Sequence, residues 1–104
     1  MHVAHRGEVW LADLGLAAKV RPCLLLTDYP QDNELALVTV LYHTTAVRGN
    51  QWELDIPKPF LKEGVFHLQQ VQSISAAKLI RKLGKLTNDE LDRISDKLAE
   101  RLSL

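Results

Sequence analysis

The sequence lacks the features of a secreted or membrane protein. Its 104 residues include one cysteine, Cys23, so no internal disulfide can form, and this cysteine usage fits a reducing compartment. No apolar stretch approaches the roughly 20 residues that a membrane-spanning helix needs. The start "MHVAHRGE" has no signal-peptide core. We therefore expect a single small soluble domain in the cytoplasm, with no membrane partner.

The chain also has no excess of charge of either sign. Lys and Arg together number 13, as do Asp and Glu, so the formal net charge is 0. Nucleic-acid binding that is driven by charge alone usually shows a clear basic excess, and the composition argues against it. A local basic site remains compatible with this balance.

Metal-ligand clusters and phosphate loops are missing as well. The histidines are scattered, and no group of cysteine and histidine has zinc spacing. No glycine-rich phosphate loop occurs. Cys23 lies inside a strongly apolar segment, which favours a buried, inert thiol over a nucleophile. We therefore expect neither a metal nor a cofactor. The histidines are His2, His5, His43 and His67.

Short β-strands account for most of the sequence. Apolar, β-branched and aromatic residues occur in segments that are separated by turn residues such as "DYPQDN". The segment at 21–27 is apolar on both faces, which predicts a central strand. Pro22 lacks an N–H and belongs near the start of that strand or at an unpaired position. Strands are predicted at 7–13, 21–27, 35–43, 51–56, 65–74 and 80–86, with one helical turn at 75–79.

The C-terminus has the signature of an amphipathic helix. Thr87 and Glu90 match the T-x-x-E capping box, with acidic residues in the first turn. One apolar stripe follows at helical spacing, formed by Leu91, Ile94, Leu98 and Leu102. Five or six short strands and one helix predict a strongly curved antiparallel sheet or partly open barrel with the helix packed on it.

Arg21 and a pair of threonines are the strongest candidates for catalytic residues. Arginine is never a general base, but its guanidinium grips a phosphate in bidentate fashion. The hydroxyls of Thr44 and Thr45, at the end of another strand, can hydrogen-bond the same phosphate. The residues alone leave two interpretations open: a phosphate site, or a rim cation beside an ordinary strand end.

Four segments occur in order over about residues 6 to 86 and together carry a resemblance. They are "RGEVWLADL" at 6–14, "VRPCLLLTD" at 20–28, "VTVLYHTTAVRGNQWELDI" at 38–56 and "EGVFHLQQVQSI" at 63–74. In this order and spacing, the chain resembles the MazF/PemK toxins of bacterial type II toxin–antitoxin modules. The resemblance implies a mainly β fold with α: a small SH3-like, plasmid-toxin barrel of five to seven antiparallel strands with a C-terminal amphipathic helix, as one domain over 1–104.

The resemblance also implies an activity and partners. Members of the family cleave single-stranded RNA without a metal and without the ribosome, usually as homodimers, and they bind a cognate antitoxin with which they contact DNA. The family's R-P arginine falls on Arg21, and its strand-end threonine falls on Thr44, with Thr45 as the alternative by one position. The ribose 2′-OH would attack the adjacent phosphate, which the enzyme orients and stabilises. A 2′,3′-cyclic phosphate and a 5′-OH would result.

Other residues are candidates for RNA contact. His43 is a possible catalytic residue, although neighbours in a strand point to opposite faces and Thr44 is adjacent. Glutamines can hydrogen-bond base edges, and loop cations can bind the backbone of a single strand. The tryptophans Trp10 and Trp52 are expected in the core or an interface. The segment "KLIRKLGK" at 78–85 is either a charged edge strand or an RNA contact. The RNA-binding candidates are Arg6, Lys19, Arg48, Lys58, Lys62, Gln69 and Gln70.

The sequence departs from the family pattern in its first loop. "GLAAKVRP" at 15–22 lacks the acidic residue and extra glycines that the family often has before R-P. Alternatives therefore stay open: an inactive nucleic-acid-binding relative, a structural barrel module, or a toxin that binds a protein such as DNA gyrase, as CcdB-like proteins do. The gyrase alternative would use the C-terminal helix, where Leu102 and Leu104 end the chain.

Overall fold

A computed structural model describes residues 3–15 and 19–104 of the protein. Within these ranges the chain forms short strands followed by one long helix. Single 3₁₀ turns occur at Leu68–Gln70 and Ala76–Lys78. The strands are β1 (Glu8–Asp13), β2 (Val20–Leu25), β3 (Leu37–Thr44), β4 (Glu53–Leu54), β5 (Val65–His67), β6 (Gln72–Ser75) and β7 (Leu79–Lys85), and the helix is α1 (Asn88–Arg101).

The strands form one antiparallel, curved sheet that does not close into a complete barrel in the described ranges. Its order is β4-β5-β3-β2-β1-β7, and β6 also pairs with β3. The prediction of a mainly β fold with a terminal helix is confirmed. β2 lies between β1 and β3, as its apolar faces predict, and β7 is an edge strand. Pro22 lies where β2 pairs with β1, and the β2–β3 pairing starts at Cys23.

Two predicted strands differ from the structure. In the predicted strand at 51–56, only Glu53–Leu54 pairs with a neighbouring strand. The residues before and after it lie in loops. The predicted strand at 65–74 is interrupted by the 3₁₀ turn. Thr44 pairs with Val65 and Val40 pairs with Gln72, so the second strand has three more residues than β3 over this distance. The turn absorbs these three residues and places Leu68 in the core.

The sheet buries apolar residues on both faces. Cys23 and Leu25 of β2 belong to one core cluster, whereas Leu24 between them belongs to the other. Because successive residues of a strand point to opposite faces, this division follows directly from the unbroken apolar run. Each of the three is fully buried. β2 is therefore a rigid support for Arg21, which lies two residues before Cys23.

The helix α1 covers one face of the sheet. The capping box is present: the Glu90 N–H donates to Thr87 Oγ1 at 3.2 Å, and the Thr87 N–H donates to Glu90 Oε1 at 2.8 Å. Leu91 and Ile94 are buried against the sheet, and Leu98 is half-buried, whereas Leu102 is exposed. The predicted stripe therefore packs over its first two turns. No helix in the described ranges has the length and apolarity that crossing a membrane requires.

Candidate active site

Arg21 and Thr44 lie at adjacent ends of two paired strands. Cys23 is opposite Tyr42 in the β2–β3 ladder, and extending this register by two residues places Arg21 opposite Thr44. Alternation along the strands puts both residues on the face of the sheet that carries Tyr42. The Arg21 guanidinium carbon lies 5.4 Å from the centre of the Tyr42 ring, which is a cation–π contact. The sequence could not show this juxtaposition, because it depends on the register.

The two threonines have different surroundings. Thr44 is buried, and its Oγ1 accepts a hydrogen bond from the Ala46 N–H at 3.0 Å. A hydroxyl that accepts one bond can still donate its proton, so Thr44 keeps a donor for a phosphate oxygen. Thr45 is exposed and lines a cleft together with Arg21. The strand end therefore offers a fixed hydroxyl and an accessible one.

The cleft beside Arg21 has a volume of about 410 Å³ and a cationic lining. Among the described residues that line it, Arg21, Lys62 and Arg81 are charged and none is acidic. His43 and Thr45 complete its polar border. The structure thus brings together four of the residues proposed from the sequence and adds Arg81 from the "KLIRKLGK" segment. Three positively charged side chains therefore border the space that an anion would enter.

His43 separates this cleft from a second cavity of about 360 Å³. Its ring is buried and packs edge-on against Phe66, with ring centres 5.1 Å apart. Burial lowers the pKa of His43, although the nearby Asp55 carboxylate acts in the opposite direction. The imidazole is therefore uncharged at neutral pH and adds no positive charge to the cleft.

Two further polar residues lie on the face of Arg21 and Thr44. His67 of β5 is opposite Glu53 of β4, and their closest nitrogen and oxygen atoms are 4.0 Å apart. His67 is buried. In the sequence, His67 is one of several scattered histidines, and no motif marks Glu53. Only the pairing of β3, β4 and β5 reveals that they neighbour the candidate site.

Glu53 holds the loop that follows β3. Its carboxylate accepts hydrogen bonds from the backbone N–H groups of Arg48 (2.8 Å), Gly49 (2.6 Å) and Asn50 (3.1 Å). These bonds, that from Arg48 foremost, lower the pKa of Glu53, although burial opposes them. The carboxylate therefore stays ionised at neutral pH and fixes the loop over this edge of the sheet.

Two of the proposed RNA-binding cations are engaged elsewhere. Lys58 Nζ lies 2.6 Å from Glu90 Oε1, and its side chain is 15% exposed. Arg6 Nη2 donates to Ser95 Oγ of α1 at 2.9 Å. Lys58 and Arg6 therefore contact the helix, whereas the exposed Lys62 borders the cleft.

The remaining candidates lie outside the cleft lining. The Gln69 side chain accepts a hydrogen bond from Asn50 Nδ2 at 3.2 Å, and Gln70 is exposed. Arg48 is exposed in the loop that Glu53 holds. Lys19 has a positive φ of 53° and follows residues 16–18, the part of the shortened loop that is outside the described ranges.

The tryptophans and the cysteine have packing roles. Trp10 is buried, and its indole N–H donates to Glu8 Oε1 at 3.0 Å. Trp52 is half-buried, with Lys97 Nζ and the Arg101 guanidinium 5.1 and 5.4 Å from its ring centre. Burial raises the pKa of the Cys23 thiol to about 12, with Arg21 acting in the opposite direction. Cys23 is therefore inert, as the sequence predicts.

A metal centre is not evident in the part of the chain that the structure describes. No group of three or more His, Cys, Asp or Glu side chains there could hold a metal ion.

Comparison with known families identifies the class of this protein. Residues 5–102 match the model of the "PemK-like, MazF-like toxin of type II toxin-antitoxin system". Because this match covers nearly the whole chain, the protein belongs to the MazF-like toxins of type II toxin–antitoxin systems. Among proteins with curated descriptions, none has significant similarity to the sequence.

Solved structures show the same fold. The MazF of a Deinococcus radiodurans MazE–MazF complex is 19% identical and has a TM-score of 0.82, with 100% of this chain and 99% of that chain covered. A mycobacterial endoribonuclease in complex with its cognate antitoxin is 24% identical, with a TM-score of 0.79 over 96% of this chain and 95% of that chain. The Mycobacterium tuberculosis toxin MazF-mt6 is 26% identical, with a TM-score of 0.75 and coverage of 93% and 97%.

Proposed function

We propose that this toxin is a metal-independent endoribonuclease that cleaves single-stranded RNA, including mRNA. The observation that carries the proposal is the placement of Arg21 opposite Thr44 beside a cleft whose described lining has three cations and no acid. The family supports this proposal, and so does the mycobacterial relative described as an endoribonuclease. A cationic cleft attracts a single-stranded polyanion electrostatically, whereas an uncharged ligand would gain nothing from these charges.

The proposed reaction uses the nucleophile that RNA itself supplies. The 2′-oxygen attacks the adjacent phosphorus, and the bond from phosphorus to the 5′-oxygen breaks. The products are a 2′,3′-cyclic phosphate and a 5′-OH. Arg21 stabilises the charge that grows on the non-bridging oxygens, and Thr44 donates a hydrogen bond to one of them or orients the 2′-OH. The Tyr42 ring packs against the guanidinium and holds it in position, so the Arg21 side chain needs little reorganisation during the reaction.

The residue that tests this proposal is Arg21. We expect Arg21→Ala to lower RNA cleavage in EDTA by about a hundredfold or more, with little change in melting temperature. Arg93→Ala, which removes an exposed cation of α1, serves as the matched control. Mass spectrometry of the products detects the cyclic phosphate. A wild-type protein that cleaves RNA only when a divalent metal is supplied would refute the mechanism.

A second pair of variants distinguishes the two threonines. Thr44→Val removes both the proposed donor and the acceptor of the Ala46 N–H, so we expect lower activity and a loss of about 1–2 kcal/mol of stability. Thr45→Val removes an exposed hydroxyl and is expected to leave stability unchanged. If Thr45→Val alone abolished cleavage, the accessible hydroxyl would be the catalytic one.

The proposed partners follow from the relatives. The Deinococcus radiodurans structure contains MazE with MazF, and the mycobacterial enzyme is bound to its cognate antitoxin. We propose that this toxin likewise forms a homodimer, binds a cognate antitoxin and acts on RNA in the cytoplasm. Co-expression with the reading frame next to its gene, followed by co-purification, tests the antitoxin.

The gyrase-binding alternative rests on the end of the chain. Leu102 and Leu104 are 49% and 91% exposed, so apolar surface is available there. Deletion of residues 102–104 separates the two functions. Toxicity that disappears while RNA cleavage persists would favour a protein target, whereas retained toxicity would leave RNA as the target.

A further inference from the structure

The face of the sheet that carries Arg21 and Thr44 also carries an aligned row of polar side chains. Glu53 of β4 is opposite His67 of β5. Thr44 pairs with Val65, and extending this β3–β5 register by two residues places Tyr42 opposite His67. Glu53, His67 and Tyr42 are thus cross-strand neighbours in one row, and Arg21 stacks on the Tyr42 ring. The row runs from the Glu53 carboxylate to Arg21, which with Thr44 forms the candidate phosphate clamp.

His67 has an unused hydrogen-bonding atom. The residue is only 7% exposed, and its Nδ1 is buried with no hydrogen-bond partner in the described part of the chain. Its Nε2 lies 4.0 Å from Glu53 Oε2, which is close enough for electrostatic attraction but too far for a hydrogen bond. Most buried side-chain nitrogens have partners, and an exception calls for an explanation, of which a catalytic role is one. An imidazole with an unpaired nitrogen can accept a proton.

Glu53 is fixed in position to support a charged imidazole. Three backbone N–H groups of residues 48–50 hold its carboxylate, and Oε2 faces His67. A carboxylate beside an imidazole orients the ring and stabilises the imidazolium that forms when a proton arrives. Because the loop bonds are independent of His67, Glu53 stays in place whichever form the imidazole takes.

The distance to the clamp is within the reach of these side chains. His67 is the diagonal neighbour of Thr44, since Thr44 is opposite Val65 and His67 is two residues further along. Such diagonal positions are roughly 7–8 Å apart, a gap that long or aromatic side chains span together with a bound group. The proposal requires the 2′-OH of a ribose whose phosphate sits at Arg21 and Thr44 to cross this distance to the buried His67 ring.

We propose that His67 is the general base of the RNA cleavage reaction and that Glu53 is its positioning residue. The inference rests on the proposed endoribonuclease function and supplies the base that Arg21 and Thr44 cannot provide. The imidazole takes the proton of the 2′-OH while the 2′-oxygen forms its bond to phosphorus. The bond from phosphorus to the 5′-oxygen breaks, and the leaving oxygen takes a proton from solvent. No oxidant, metal or further reactant is needed.

The first experiment measures single-turnover cleavage of a short single-stranded RNA in EDTA. We expect His67→Gln, which keeps a polar side chain of similar size, to slow the chemical step by about a hundredfold or more. Binding of a non-cleavable analogue with a 2′-deoxyribose at the cleavage site is expected to stay within about threefold of wild type, since the lost step is chemical. The matched control is His5→Gln, which removes an exposed histidine and should cleave at the wild-type rate.

A modified substrate separates a base from an acid. In RNA with sulfur in place of the bridging 5′-oxygen, the leaving thiolate needs no proton. If His67 is the base, His67→Gln remains slow on this substrate. A loss that disappears with the sulfur leaving group would show that His67 protonates the leaving group, and the inference would be wrong.

A double-mutant cycle tests the positioning role of Glu53. Glu53→Gln should slow wild-type cleavage but add little to the defect of His67→Gln, because both changes disable one unit. If the two losses multiplied, Glu53 would act independently of His67. The failures are distinguishable: wild-type protein without cleavage refutes the proposed function, whereas an active wild type with an equally active, folded His67→Gln variant refutes this inference alone.

Discussion

Gly64 lies directly against the backbone of Thr44 at the end of β3. A Cβ atom at position 64 would overlap the Thr44 carbonyl oxygen and would lie 2.8 Å from Cε1 of His43. The neighbouring Val65 is the ladder partner of Thr44. Position 64 therefore has no room for a side chain, and glycine lets the chain before β5 lie directly against the Thr44 backbone.

This contact predicts a large effect of one methyl group. Gly64→Ala is expected to lower the free energy of unfolding by about 3 kcal/mol and to reduce RNA cleavage, because backbone must move. Gly84→Ala is the comparison variant, since its Cβ would meet the ring of Phe60 and not backbone atoms; Phe60 also lines the cleft. We expect a smaller loss of stability there, about 1 kcal/mol, because a side chain shifts more easily than a paired strand. Urea denaturation measures both, and equal losses would contradict the role assigned to Gly64.

The loop between β4 and β5 carries two lysines with different roles. Lys58 pairs with Glu90 at the start of α1, whereas the exposed Lys62 lines the cleft. We expect Lys58→Met to lower stability by about 1 kcal/mol and to leave RNA binding nearly unchanged. Lys62→Met should do the reverse: it should weaken RNA binding and reduce its salt dependence without a change in melting temperature. Filter binding at several salt concentrations measures the RNA affinity of both variants. Weaker binding by Lys58→Met together with unchanged binding by Lys62→Met would contradict these roles.

Glu53 makes the stability of the protein depend on pH. Its pKa is lowered from 4.5 by the backbone N–H groups of residues 48–50, so its contribution to stability is fully present above that value. The contribution is lost as the pH falls through the lowered pKa of the folded state. Glu53→Gln should therefore be less stable than wild type at pH 7, and the difference should shrink below pH 4.5.

The comparison needs a control for ordinary surface carboxylates. Glu63→Gln alters an exposed residue on the loop before β5 and is expected to match wild type at both pH values. Urea midpoints at pH 7 and pH 3 give the measurement. If the stability difference between wild type and Glu53→Gln stayed the same at both pH values, the charge of Glu53 would not be what holds the loop.

Local features of the sequence predicted part of this structure. The capping box at Thr87 and the doubly apolar β2 depend on residues near one another in the chain, and both were predicted correctly. The row of Glu53, His67 and Tyr42 joins three strands whose register is set by distant contacts, and no local pattern encodes it. β4 was predicted too long because the alternation of apolar and polar residues extends beyond the two residues that pair in the sheet. In the sequence, the loop residues on either side look like a continued strand. The same non-local pairing places Thr44 opposite Arg21 in the ladder.

The C-terminal end of α1 offers a stabilising substitution. The Leu104 N–H donates to the Ala99 carbonyl at 2.8 Å and the Ser103 N–H to the Glu100 carbonyl at 3.2 Å, the two bonds of a Schellman motif. Ser103 adopts the left-handed conformation that this motif requires, with a φ of 58°. Glycine reaches that conformation without the steric penalty of a Cβ atom. Ser103→Gly is therefore expected to raise the free energy of unfolding by about 1 kcal/mol, as measured by urea denaturation. Ser103→Val, which adds a branched Cβ, should lower it, and a stabilising valine would show that the helix end does not keep this conformation in solution.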